Sequence, residues 1–72
     1  MNTTQQRAEC LRESIASLEG AFDHARMNER RRARFCAVRA MRRAISAGTA
    51  GAPRMLVQPL VDESLRLIGI VA

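Results

Sequence analysis

The sequence predicts an all-α protein: a small helical hairpin followed by a C-terminal third helix, assembled as a dimeric bundle. Apolar residues recur in steps of three and four through two long stretches, the signature of amphipathic helices. Phe22 and Phe35 are the only aromatics, so the core must be aliphatic and alanine-rich, a composition that favours helices over sheets. The clearest loop, SAGTAGAP at residues 46–53, carries two glycines and a terminating proline and sets the third element apart. Seventy-two residues allow one small domain, 1–72. A monomer of that size buries little more than half of its unfolded surface, and association is a common remedy.

The first helix is expected over residues 3–26. Thr3 followed by Gln6 fits a capping box, in which two side chains satisfy the first free N–H groups. Ala8, Leu11, Ile15, Leu18, Phe22 and Ala25 then form one apolar seam, long for so short a chain, which predicts a homodimer. Glu9, Glu13, Glu19 and Asp23 share an adjoining arc. Gly20 weakens a helix interior by about 1 kcal/mol relative to alanine, so it marks a kink, a close contact or a helix end.

A second helix is expected over residues 29–46. Val38, Met41 and Ile45 share one face, and Ala33, Ala37, Ala40 and Ala44 extend it into a small-residue surface. Carrying the first seam onward would place Glu29, Arg32, Cys36, Arg39 and Arg43 in a core, so the phase breaks near Met27–Glu29. Asn28 suits either a left-handed position after a helix or an N-cap. An antiparallel hairpin turning at Asn28 follows; a turn at Gly20 and one long helix exchanged in a dimer are the alternatives. A loop over 47–58 is expected, then a helix over 59–69. Pro59 would open it, with Asp62 and Glu63 favouring its positive end. The β-branched ending also permits a strand paired with MLVQ.

Charge is unevenly placed. All twelve basic residues are arginine, a bias that GC-rich codons explain, and the net charge is +5. Residues 1–25 carry Arg7 and Arg12 against Glu9, Glu13, Glu19 and Asp23. Residues 26–46 carry eight arginines against Glu29 alone, and residues 47–72 balance. The molecule is polarised. On a helical wheel Arg31, Arg32, Arg39, Arg42 and Arg43 gather opposite the alanines, with Phe35 among them.

Catalytic constellations are not apparent. His24 is the single histidine and lacks a positioned partner; Cys10 and Cys36 form no CxxC pair, and no activating base accompanies them. One histidine and two separated cysteines are too few for zinc, and SAGTAGAP lacks the spacing and lysine of a phosphate loop. No cofactor and no metal are expected. MNTTQQRAEC shows no signal-peptide pattern and no segment approaches transmembrane length, so a cytoplasmic location is expected, with both cysteines reduced.

The arginine face admits three readings. It is solvated or pairs with the acidic arc of the first helix; it binds an acidic protein surface through Arg31, Arg32, Phe35, Arg39, Arg42 and Arg43; or it neutralises nucleic-acid phosphates. Against nucleic acid stand the absence of a helix-turn-helix and of stacking aromatics on a sheet. Alanines where bulky anchors belong speak against a membrane-surface helix. The expectation is a non-enzymatic adaptor or inhibitor on a larger cytosolic protein, its size matching accessory proteins of phages and mobile elements by analogy alone. A nucleic-acid-binding regulator is the alternative. The seam Leu11, Ile15, Leu18, Phe22, Val38, Met41 and Ile45 is assigned to core or dimer contact.

Overall fold

In a computed structural model, which describes residues 2–72, the chain forms three helices: α1 (Thr3–Arg26), α2 (Arg30–Thr49) and α3 (Arg54–Val71). No strand occurs among the described residues, so the strand alternative for the C-terminus is set aside. The helices run up, down and up. Helix α2 lies between the other two and packs against both, while α1 and α3 touch far less. The Cα envelope measures 38 × 19 × 12 Å.

Side-chain size on α2 dictates this arrangement. Ala33, Ala37, Ala40, Ala44 and Ala47 follow one another at steps of three and four, and all are fully buried. A row of Cβ atoms lets neighbouring helices approach closely. On α1 the matching face is also small: Cys10, Ser14 and Ala21 are buried beside Leu18. Ser14 Oγ donates a 2.7 Å hydrogen bond across the contact to the Ala40 carbonyl, which satisfies a hydroxyl with no access to water. Helix α3 contributes Leu67 and Val71 to the cluster of Leu18, Ala21, Ala33, Ala37 and Ala40. Its buried Ser64 donates to the carbonyl of Leu60 at 2.7 Å. A second cluster, Cys10, Ala47 and Ala52 flanked by Leu11 and Val57, closes the other end.

Both turns are Schellman motifs. After α1, Asn28 takes φ 61, and the N–H groups of Asn28 and Glu29 donate to the carbonyls of Ala25 (3.1 Å) and His24 (2.8 Å). Asparagine tolerates that left-handed geometry better than most residues. After α2, Gly51 takes φ 100, and Gly51 and Ala52 donate to Gly48 (3.0 Å) and Ala47 (2.9 Å). Arg7 of α1 ties this second turn down by donating to the Gly51 carbonyl at 3.3 Å. The hairpin therefore turns at Asn28. Helix α1 runs unbroken through Gly20, where a Cβ would meet Cys36 Sγ at 3.9 Å, an ordinary contact.

Several expectations need correction. The capping box exists one residue earlier: Gln5 N–H donates to Asn2 Oδ1 at 2.8 Å, and the Gln5 side chain accepts from Asn2 N–H at 3.4 Å. Asparagine is at least as good a cap as threonine. The loop expected over 47–58 shrinks to residues 50–53, because Ala47 still belongs to the alanine row of α2. Helix α3 begins at Arg54 with Pro53 as its N-cap, so Pro59 sits inside the helix and not at its first position. The buried or half-buried row Val57, Leu60, Val61, Ser64, Leu67, Ile68 and Val71 outweighs the hydrogen bond that proline forgoes.

The apolar seam is only partly core. Leu18 is buried and Leu11 and Phe22 are half-buried, but Ile15 is 46% exposed. Val38 and Met41 are half-buried and Ile45 is 51% exposed. At 100° per residue, Val38 and Ile45 lie about 120–140° around α2 from Ala33, so the alanine row takes the contact and leaves them at its edge.

Two outcomes follow for stability. Gly20→Ala should raise stability by about 0.5–1 kcal/mol, since the site has room and helical dihedrals. Ala40→Leu should lower it by about 1–3 kcal/mol by forcing α1 away at Ser14; chemical denaturation of both variants measures the contrast. Cys10 packs with Ala47 and Cys36 lies beside Gly20, at different levels of the hairpin. Mild oxidation of dilute protein should therefore give no intramolecular disulfide, read as unchanged mobility on a non-reducing gel.

Candidate functional site

The outward face of α2 is fixed by its inward one. With the alanine row turned to α1 and α3, Arg31, Arg32, Phe35, Arg39, Arg42 and Arg43 all face solvent. Phe35 is 68% exposed at the centre of the row. From Arg31 to Arg43 the row extends about 18 Å at 1.5 Å per residue. Phe35, Val38 and Ser46 line a shallow recess there with Arg34, Arg39, Arg42 and Arg43. Arg34 was not singled out by the sequence, because the wheel places it at the border of the stripe; its position one residue before Phe35 was the available signal.

Few of these charges are neutralised. Arg43 Nε lies 2.8 Å from Glu13 Oε2 on α1, an ion-pair contact without hydrogen-bond alignment. Arg32 donates to Glu29 at 3.0 Å, beside the turn. Arg31, Arg34, Arg39 and Arg42 have no carboxylate partner among the described residues. The acidic arc of α1 therefore covers only the edge of the basic face: Asp23 pairs with Arg26, and Glu9 and Glu19 pair with no cation among the described residues. Like charges three and four apart repel by about 0.2–0.5 kcal/mol per pair, which applies to Arg39 with Arg42 and Arg43.

The start of α2 strengthens the field. Arg30, Arg31 and Arg32 occupy its first turn, where the unpaired N–H groups already carry partial positive charge, and Glu29 provides no side-chain cap. His24 Nδ1 stands 3.6 Å from Glu29 Oε1 beneath this end. A further ion pair lies on the outer side of α3. There Arg66 donates to Glu63, which lowers the Glu63 carboxyl below its ordinary value and raises Arg66. Solvent reaches both groups, so the pair adds little stability.

No cluster of three histidine, cysteine or acidic side chains is placed to hold a metal among the described residues. Cys10 is buried in the cluster with Ala47 and Ala52, and Cys36 is half-buried beside Gly20. No helix is long and apolar enough to cross a membrane. Comparison with protein-family models, with curated proteins and with solved structures gives no match for this chain.

Phe35 is surface and not core, which makes its effect on folding small. Phe35→Ala should leave the free energy of unfolding within about 0.5 kcal/mol of the parent, by thermal or urea denaturation. A larger loss would place the ring against another helix.

Proposed function

We propose that this chain is a non-enzymatic binding protein, an adaptor or inhibitor that docks the outer face of α2 on an acidic surface of a larger protein. The observation that carries this reading is an exposed phenylalanine on a face where Arg31, Arg34, Arg39 and Arg42 have no carboxylate partner among the described residues. Aromatic and arginine side chains dominate the energetics of protein interfaces, since a ring excludes water while guanidinium groups make bidentate bonds to carboxylates. Phe35 supplies the apolar anchor. Arg31, Arg39 and Arg42 surround it on the same side of a helix held firmly from behind. A rigid helix limits the loss of conformational freedom on binding.

The same arginines would also meet phosphates, so a nucleic-acid regulator is the competing reading. Phe35 supports the protein partner as an interface anchor, while in the competing reading the same ring would stack a base, and the nuclease arm separates the two.

The test is capture from lysate on immobilised protein, with and without nuclease, followed by affinity measurement on the captured partner. Phe35→Ala should weaken binding at least about tenfold, and Arg39→Glu with Arg42→Glu should abolish it, with helicity retained in both. Retention should survive nuclease and decline gently with salt. Capture that vanishes with nuclease and falls steeply on a logarithmic salt scale would transfer the function to nucleic acid. Full binding by Phe35→Ala would mean that the ring is not an anchor.

A further inference from the structure

We propose that the exposed flank of α1 centred on Ile15 is a self-association surface that takes a second copy of this chain in antiparallel register. This goes beyond the reading of α2 and rests on different residues. Ala8, Arg12, Ile15 and Glu19 fall within an arc of about 60° at 100° per residue. All four are exposed, Ile15 to 46%. The buried residues Cys10, Ser14 and Ala21, which face α2, occupy the opposite flank of the same helix. Leu11 and Phe22, both half-buried, border the exposed arc and widen its apolar part.

Charge complementarity selects the occupant and its direction. Arg12 precedes Ile15 by three residues and Glu19 follows it by four. Neither is paired with an opposite charge among the described residues. In an antiparallel pair of α1 helices centred between Ile15 and Ala16, Arg12 of each copy meets Glu19 of the other. The two ion pairs are symmetric, as a two-fold interface requires. The same register sets Ile15 beside Ala16 and Ala8 near Asp23. A parallel pair would oppose Arg12 to Arg12 and Glu19 to Glu19, so the antiparallel arrangement alone is complementary.

Net charge points the same way. Two chains of charge +5 repel unless they meet through their least basic part, and residues 1–25 are the segment in which acids outnumber arginines. Joining through this flank of α1 leaves the Phe35 face of α2 open on each copy.

Sedimentation and light scattering at high micromolar concentration test this with charge-swap variants. The parent chain should show twice its 8.0 kDa mass. Arg12→Glu and Glu19→Arg should each weaken self-association by at least about tenfold, since each opposes like charges twice. Mixed in equal amounts, the two variants should restore the dimer. The carboxylate introduced at position 12 of one chain then meets the guanidinium introduced at position 19 of the other, and the parent pair forms across the second contact. Ile15→Ser should also weaken association while circular dichroism shows unchanged helicity. A parent chain that stays at 8.0 kDa, a single variant that associates like the parent, or a mixture that remains monomeric would each overturn the proposal.

Discussion

Close approach along the alanine row of α2 is the constraint on which the rest depends. Five fully buried alanines present no side chain beyond Cβ, so α1 and α3 can both lie against one narrow strip. The buried area per residue is small, and a chain of this size has little to spare. Tight contact compensates through dispersion, which rewards the absence of voids. The interhelical bond from Ser14 to the Ala40 carbonyl is possible only because the backbones are near. Larger apolar groups are displaced to the margins. Leu18, Leu67 and Val71 fill the space where α1 and α3 flank α2, while Ile15, Ile45 and Phe35 are left outside.

The same strip organises charge. Because alanines line the inward side of α2, every arginine of that helix turns outward and the basic residues become one continuous surface. The acids of α1 reach it only at Glu13, opposite Arg43, so the positive field is not cancelled internally. Arginines in the first turn of α2 add to the helix's own positive end. A helix packed from behind and charged in front is suited to meeting another surface.

Much of this was legible in the sequence, and the failures have physical causes. The seam of α1 gave its limits correctly, and the phase break placed the turn at Asn28, whose left-handed φ closes a Schellman motif. Hydrophobicity alone placed Val38, Met41 and Ile45 in a core or dimer seam; within the chain five aligned alanines take the contact, because two helices must approach the same side, and leave Val38 and Met41 half-buried and Ile45 exposed. Pro59 looked like a helix start. The buried row from Val57 onward extends α3 past it, and Pro53 provides the stop that the loop composition announced. Of the candidate face, the five arginines and Phe35 were visible as a wheel pattern. Which of them lack partners was not, since the ion pair between Arg43 and Glu13 depends on how far α1 rotates about its axis.

Helix α2 buries its alanines and presents Phe35 to solvent. Methyl and aromatic nuclear Overhauser contacts in labelled protein measure this directly. Ala37, Ala40 and Ala44 methyls should show contacts to α1 or α3 side chains, and the Phe35 ring should show none beyond its own helix. A Phe35 ring in contact with α1 or α3, with alanine methyls seeing only their own helix, would mean that α2 is turned the other way and that the arginine face is not the outer surface.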